Sequence, residues 1–289
     1  MTQPGSISPK LRTIGLTIVA MTAFAANSVL CRLALAQGLI DPATFTFVRI
    51  GSGAAMLWCI VAFTTRQRQV QGSWQAALAL FGYAAAFSFA YLSLPAGTGA
   101  LLLFGAVQAT MVATGLARGE GLARLQWLGF ALALSGLAAL VAPGVSAPPL
   151  AGASLMLAAG IAWGAYSLFG RGVADPLAAT AGNFLRASPM ALALLAMAAA
   201  FGDRASVPGV AYAALSGAVA SGLGYTVWYA ALRGLTPAQG ASVQLSVPVI
   251  TAIAGALVLG EAATLRLAGS SLAVLGGIAL VIGSRKRAG

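Results

Sequence analysis

Residues 83–120 read YAAAFSFAYLSLPAGTGALLLFGAVQATMVATGLARGE, and residues 224–261 read GYTVWYAALRGLTPAQGASVQLSVPVITAIAGALVLGE. Both stretches end in Gly-Glu, at Glu120 and Glu261, and the whole sequence contains only these two glutamates. Seven further identities share the same offset of 141 positions: Ala90/Ala231, Gly99/Gly240, Ala100/Ala241, Thr110/Thr251, Leu116/Leu257, Gly136/Gly277 and Ala138/Ala279. A self-similarity at fixed offset indicates an internal duplication, which determines the architecture of the whole chain.

The composition is that of a membrane protein. Of the 289 residues 60% are hydrophobic and 7% are charged, with a mean hydropathy of +0.91, whereas about a quarter of the residues of a soluble protein are charged. The net charge of +11 comes from basic residues in short loops between apolar runs, which is typical of membrane topology and excludes a nucleic-acid partner. The sequence has no histidine, and its two cysteines lie in different apolar runs, so we expect no metal, cofactor or disulfide.

Ten apolar runs are long enough to span a bilayer, for which a helix needs about 20 residues. Charges, prolines and polar clusters separate them, most sharply at Asp41-Pro42, Pro95, Asp175-Pro176 and Thr236-Pro237. The predicted helices cover residues 12–36, 42–64, 73–93, 95–117, 122–141, 151–170, 177–200, 207–231, 237–258 and 264–284. The first run ends in Ala-Leu-Ala, which resembles a signal-peptide cleavage site, but its length and the polar Asn27 and Arg32 favour a retained helix.

The basic residues predict the orientation. If the amino terminus is cytoplasmic, eleven Lys and Arg residues lie on that side, three on the far side and two within the apolar runs. The positive-inside rule therefore predicts that both termini are cytoplasmic.

The Pro-rich stretch from Pro143 to Pro149 divides the ten helices into halves of five, residues 1–144 and 145–289. An odd number of helices in each half places the second half upside down relative to the first. The fold expected is therefore an all-α membrane protein of two inverted five-helix repeats. Inverted repeats place a substrate path near the bilayer midplane, with alternating access between the two sides.

These features resemble the EamA branch of the drug/metabolite transporter superfamily. The resemblance rests on ten helices in a five-plus-five duplication, an arginine in the second helix of each half (Arg49, Arg186) and Gly-Glu after the fourth (Glu120, Glu261). Within that branch the chain most resembles the YddG-type bacterial exporters of aromatic and other hydrophobic amino acids. The resemblance implies a small-molecule transporter of the bacterial inner membrane.

A path through hydrocarbon needs residues that are neither lipid-like nor small, and helices 1, 3, 4, 6, 8 and 9 supply them. The predicted substrate-binding residues are Asn27, Tyr83, Phe87, Gln108, Trp163, Tyr166, Tyr225, Trp228, Ser242, Gln244 and Ser246. Aromatic rings accept an apolar body, and amides and hydroxyls hold its polar end. The alternative is that the rings form interfacial belts and the polar groups join helices. Tyr91 and Tyr229 lie toward helix ends, where a belt is favoured.

Other residues have structural predictions. Pro248 should kink helix 9 near its middle and could serve as a hinge. Arg49 and Arg186 lie seven to ten residues from a helix end, so snorkelling or capping of carbonyls is favoured over binding a substrate carboxylate. Glu120 and Glu261 should tie loops or helix ends.

No Asp or Glu falls within an apolar run, whereas a proton-coupled carrier normally has an ionisable group at membrane depth. We therefore expect a uniporter or exchanger. The substrates expected from the resemblance are amino acids and related metabolites, with aromatic and hydrophobic amino acids favoured, and the protein is expected to be a monomer. The alternative is a drug, cation or nucleotide-sugar carrier of the same fold. A membrane enzyme would need catalytic groups that the sequence lacks, so no enzymatic activity is expected.

Overall fold

The computed structural model describes residues 8–64, 71–119, 121–144, 147–199, 205–235 and 237–283. Glu120, for which a structural role was predicted, lies outside these ranges. The first half contains helices α1 Pro9–Ala36, α2 Pro42–Thr64, α3 Trp74–Ala90, α4 Ala96–Ala117 and α5 Arg124–Val141. The second half contains α6 Leu150–Phe169, α7 Pro176–Ala199, α8 Val207–Leu232, α9 in two pieces, Pro237–Gln244 and Ser246–Leu259, and α10 Leu265–Gly283.

Within the described ranges nine helices are long and apolar enough to cross a membrane, and α3 is an apolar helix of 17 residues. The prediction of an all-helical, multi-pass membrane protein is confirmed. Large apolar side chains such as Phe63 and Leu265 lie on the outer surface with most of their area exposed, as expected for faces that contact lipid.

Two aspartates begin corresponding helices in the two halves. Asp41 Oδ1 accepts hydrogen bonds from the amides of Ala43 and Thr44 at 2.9 Å, and Asp175 Oδ1 accepts from those of Leu177 and Ala178 at 3.1 and 3.0 Å. An acceptor at this position satisfies amides that have no partner within the helix. Both carboxylates are therefore engaged at the amino ends of α2 and α7.

The helices pack mainly across the boundary between the halves, and the contacts are related by exchanging one half for the other. Helices α1 to α5 correspond in order to α6 to α10. The contact of α3 with α6 is matched by that of α8 with α1, and the contact of α4 with α6 by that of α9 with α1. Likewise α2 contacts α8 as α7 contacts α3, while α2 pairs with α7, α4 with α9 and α5 with α10. The core is consequently shared by both halves, and neither half buries its own interior alone.

Helix α8 changes winding in its middle, where Leu215–Leu223 is π-helical. This segment packs closely on α2, because Gly217 lies directly against the carbonyl of Arg49 and the hydroxyl of Ser52. A side chain at position 217 would collide with both groups. Ser216, in the same π-helical segment, is fully buried and donates its hydroxyl hydrogen to Asn27 of α1.

Helix α9 is interrupted at Leu245, three residues before the proline that was expected to kink it. Proline has no amide hydrogen, so Pro248 cannot donate to the carbonyl of Gln244 one turn earlier. Around the break, the amide of Leu245 donates to the carbonyl of Ser242 and the hydroxyl of Ser246 donates to that of Val243. The interruption follows from Pro248 but lies one turn before it, and its use as a hinge remains a prediction.

Candidate functional site

A cavity of about 850 Å³ lies between the two halves, within the range typical of small-molecule sites. Its walls come from α1, α3, α4, α6, α7, α8 and the first piece of α9. At one end it is lined by exposed residues between or beside helix ends, among them Gly72, Gly170 and Arg171. At the other end it stops near Ser28 and Phe87, inside the bundle. The cavity therefore has one mouth and one closed end.

Nine predicted residues line this cavity: Asn27, Tyr83, Phe87, Gln108, Trp163, Tyr166, Tyr225, Trp228 and Gln244. Ser242 and Ser246 are not among the lining residues. Ser242 is exposed, and Ser246 donates its hydroxyl hydrogen to the carbonyl of Val243 at 2.6 Å. Of the two tyrosines expected in a belt, Tyr229 lines the cavity, whereas Tyr91 is buried outside it.

Trp163 is the centre of the aromatic wall. Its ring centroid lies 4.7 Å from that of Tyr83, 5.1 Å from that of Tyr166 and 5.5 Å from that of Tyr225. The rings of Tyr166 and Tyr225 are stacked on it, at interplanar angles of 28° and 18°. All four rings line the cavity, so they offer apolar contact area and ring edges to an aromatic or large aliphatic group.

A polar network lies behind one side of this wall. The Arg49 Nη2 donates to the Tyr83 hydroxyl oxygen at 2.8 Å, and Asn27 Nδ2 donates to the same oxygen at 3.3 Å. Asn27 Oδ1 in turn accepts from the hydroxyl of Ser216 at 2.6 Å. The network joins α1, α2, α3 and the π-helical segment of α8, and Asn27 and Tyr83 are its members on the cavity surface.

The expectation that Arg49 snorkels toward an interface is wrong. Its side chain is 2% exposed, and its guanidinium carbon lies 5.0 Å from the Tyr83 ring centroid and 4.9 Å from that of Phe87. The side chain extends into the protein, toward Tyr83 and Phe87 of α3, instead of along the helix surface. The distance of Arg49 from a helix end indicated how deep it lies along α2, but not which way its side chain extends.

Arg186 has a different environment. It donates from Nη1 to the carbonyls of Gln71, at 2.9 Å, and Gly182, at 3.1 Å. Gln71 precedes α3 and lies directly against Gly182 of α7. The guanidinium thus connects α7 to the segment before α3, beside the cavity mouth.

The closed end has a layer of polar contacts above it. The Arg32 Nε donates to Glu261 Oε1 at 3.0 Å, while its Nη1 donates to the carbonyls of Tyr91 and Leu92 at 2.9 and 3.1 Å. Glu261 Oε2 accepts from the amide of Ala96 at 2.7 Å. The pair is largely buried, with side chains 18% and 15% exposed. It holds α1, the end of α3, the start of α4 and the end of α9 together.

Residues of α7 were missed as cavity residues. The Thr180 hydroxyl donates to the carbonyl of Pro176 at 2.7 Å and lies 2.8 Å from the Tyr229 hydroxyl and 3.4 Å from that of Tyr166. Asn183 Oδ1 accepts from the amide of Ser73 at 3.0 Å. Both line the cavity. Their spacing of three positions, which places two polar groups on one helix face, was the signal that could have identified them.

Comparisons with known proteins agree with this architecture. Residues 11–142 and residues 150–283 each match the model of the EamA-like transporter family. The chain is 58% identical over 279 residues to an uncharacterized protein of Pseudomonas aeruginosa, covering 96% of each chain. It is also similar to a solved crystal structure with a TM-score of 0.64 and 18% identity, over 95% of this chain and 99% of the other. That second likeness shows the fold alone.

Proposed function

The chain belongs to the EamA-like transporter family, and from that premise we propose that it exports amino acids through the cavity between its halves. Aromatic and other hydrophobic amino acids are the favoured substrates. The observation that carries this proposal is the cluster of rings around Trp163 on the cavity wall, since apolar ring surface suits an aromatic or large aliphatic side chain. The amides of Asn27, Gln108 and Gln244, which line the same cavity, can bind the polar end.

The proposed mechanism is alternating access in a bacterial inner membrane, with two inverted halves, residues 1–144 and 145–289. In support, the contacts between helices are related by exchanging the halves. The cavity also has one mouth and one closed end, as a single access state requires. With cytoplasmic termini, as the loop charges predict, the mouth faces the cytoplasm and Glu261 lies at the outer side.

We further propose that transport needs no proton gradient. The acidic residues that the structure describes are Asp41 and Asp175, which cap helices, and Glu261, which pairs with Arg32. None of them lines the cavity. A cationic drug would favour a carboxylate in the cavity wall, so the described lining also favours amino acids over cations.

The first test is counterflow of labelled amino acids in proteoliposomes without an imposed ion gradient. We expect saturable accumulation of phenylalanine, tryptophan or leucine, and weaker accumulation of aspartate and lysine. Accumulation that requires a proton gradient would contradict the uncoupled mechanism. If none of the amino acids moves, the proposed substrate class is wrong.

A second test removes the centre of the wall. The double variant Trp163→Ala, Tyr83→Ala deletes two rings whose centroids lie 4.7 Å apart. We expect the half-saturating concentration for aromatic substrates to rise about five- to a hundredfold, because two aromatic contacts contribute about 1–3 kcal/mol beyond the area that they bury. Unchanged apparent affinity in well-folded protein would contradict the site assignment.

A further inference from the structure

The hydroxyl group of Tyr83 can act only as a donor toward the cavity. A phenolic oxygen has two lone pairs and one hydrogen. Arg49 Nη2 and Asn27 Nδ2 both donate to this oxygen, so its two lone pairs are occupied. Among the described residues no acceptor takes the remaining hydrogen. Because Tyr83 lines the cavity, that hydrogen is available to a ligand whose acceptor reaches the hydroxyl group.

A buried positive charge lies directly behind this donor. The Arg49 side chain is buried and its Nη1 has no hydrogen-bond partner within the described part of the chain. The described carboxylates are all engaged elsewhere, at two helix caps and in the pair with Arg32. A buried cation without a counterion is costly. Its field also polarises the Tyr83 O–H bond and strengthens it as a donor to an anion.

The opposite polarity is found near Trp163 on the α7 side. The single hydroxyl hydrogen of Thr180 is donated to the carbonyl of Pro176, so Thr180 accepts from both Tyr229 and Tyr166. The hydrogens of these two tyrosines are thereby used, and their oxygens present lone pairs to the cavity that they line. These two acceptors suit a donor such as an ammonium group.

We propose that Tyr83 and Asn27 form the subsite for the carboxylate of the substrate. Arg49 is a positioning residue, since it holds the Tyr83 hydroxyl group and its positive charge strengthens that group as a donor to the carboxylate. The inference rests on the proposed transport of small organic molecules through this cavity. It narrows the substrates to organic acids and zwitterions that combine a carboxylate with an apolar body. In a zwitterion the carboxylate faces Tyr83 and the ammonium group faces Tyr166 and Tyr229.

The test compares two ligands that differ only in the carboxylate, 3-phenylpropionate and 3-phenylpropionamide, binding to purified protein in detergent by calorimetry. We expect the acid to bind at least tenfold more tightly than the amide. Tyr83→Phe should reduce that ratio by about ten- to a hundredfold, the amount expected for a hydrogen bond to a charged group. The variant keeps the ring, so a purely structural role would weaken both ligands equally and leave the ratio unchanged.

Two further variants complete the test. Asn27→Asp preserves the side-chain shape and adds a negative charge, so it should also abolish the preference for the acid. Tyr212→Phe removes a hydroxyl group that lies outside both the cavity and the Arg49 network, so it should retain the affinity for both ligands and the preference for the acid. Equal binding of acid and amide by the parent protein, binding of neither, or a preference that survives Tyr83→Phe would overturn the inference. Because this readout needs no transport, a failure of amino-acid counterflow is distinguishable from a failure of the carboxylate subsite.

Discussion

Replacing Glu261 with Gln is expected to loosen the closed end of the cavity. Glutamate at this position accepts from Arg32 Nε and from the Ala96 amide, one hydrogen bond on each carboxylate oxygen. Glutamine has the same shape but no charge, and only one of its two terminal atoms is an acceptor. Loss of a hydrogen bond to a charged group costs about 1.5–3 kcal/mol. If this layer stabilises the closed end, the population with that end open rises about ten- to a hundredfold.

Cys31 provides a native reporter of that opening. It is fully buried, immediately before Arg32 on α1, whereas the only other cysteine, Cys59, is exposed. In a Cys59→Ala background, modification of Cys31 by a bulky water-soluble maleimide should be slow. Adding Glu261→Gln should accelerate it at least tenfold, measured by mass shift of the purified protein in detergent.

A matched control separates local opening from general loosening. Arg266 donates to the carbonyls of Ala142 and Pro143 and connects α10 to the end of α5, and it does not line the cavity. Arg266→Gln should leave the modification rate of Cys31 unchanged. Equal rates for Glu261→Gln and the parent, at equal thermal midpoints, would refute the reasoning.

Three other substitutions test the fold and its moving parts. Gly217→Ala should destabilise the protein by about 1–3 kcal/mol, because the added methyl group collides with α2. The control is Gly51→Ala, whose methyl group meets open space. Equal midpoints of thermal unfolding for the two variants would contradict the close approach of α8 to α2. Asp175→Ala should lower the free energy of unfolding by about 1 kcal/mol, because it removes the amino-terminal cap of α7. Asp175→Asn should retain most of that stability, and an equal loss of stability in both variants would exclude capping as the cause. Pro248→Ala restores a donor for the carbonyl of Gln244, so counterflow should slow while substrate affinity is retained; an unchanged rate would rule out a hinge in α9.

Helix positions were largely predictable because apolar length and strong breakers determine them. The predicted helix 207–231 is observed as Val207–Leu232, and the predicted helix 42–64 as Pro42–Thr64. The π-helical winding of Leu215–Leu223 was not predictable, since its Gly and Ser residues fit an ordinary packed helix equally well. The winding depends on the close approach to α2, which only tertiary structure reveals.

The candidate site was predictable in composition and less so in polarity. Aromatic and amide residues at membrane depth are conspicuous in an apolar sequence, and nine of those named line one cavity. The direction in which Arg49 extends could not be predicted, because depth along a helix does not specify which neighbour its face contacts. The donor and acceptor sides of the cavity depend on how each hydroxyl hydrogen is used, which the sequence alone does not record.

The amide of Ala96 has no equivalent in the other half. Under the offset of 141 positions its counterpart is Pro237, whose nitrogen carries no hydrogen. With alternating access, the state sealed at the Glu261 end contains this charge-assisted hydrogen bond, and Pro237 cannot donate its equivalent in the opposite state. A substrate arriving from the sealed side must wait for the rarer conformation, so its half-saturating concentration is raised by the ratio of the two populations, about tenfold for each 1.4 kcal/mol. An uncoupled carrier remains reversible, yet its two directions should saturate at unequal concentrations.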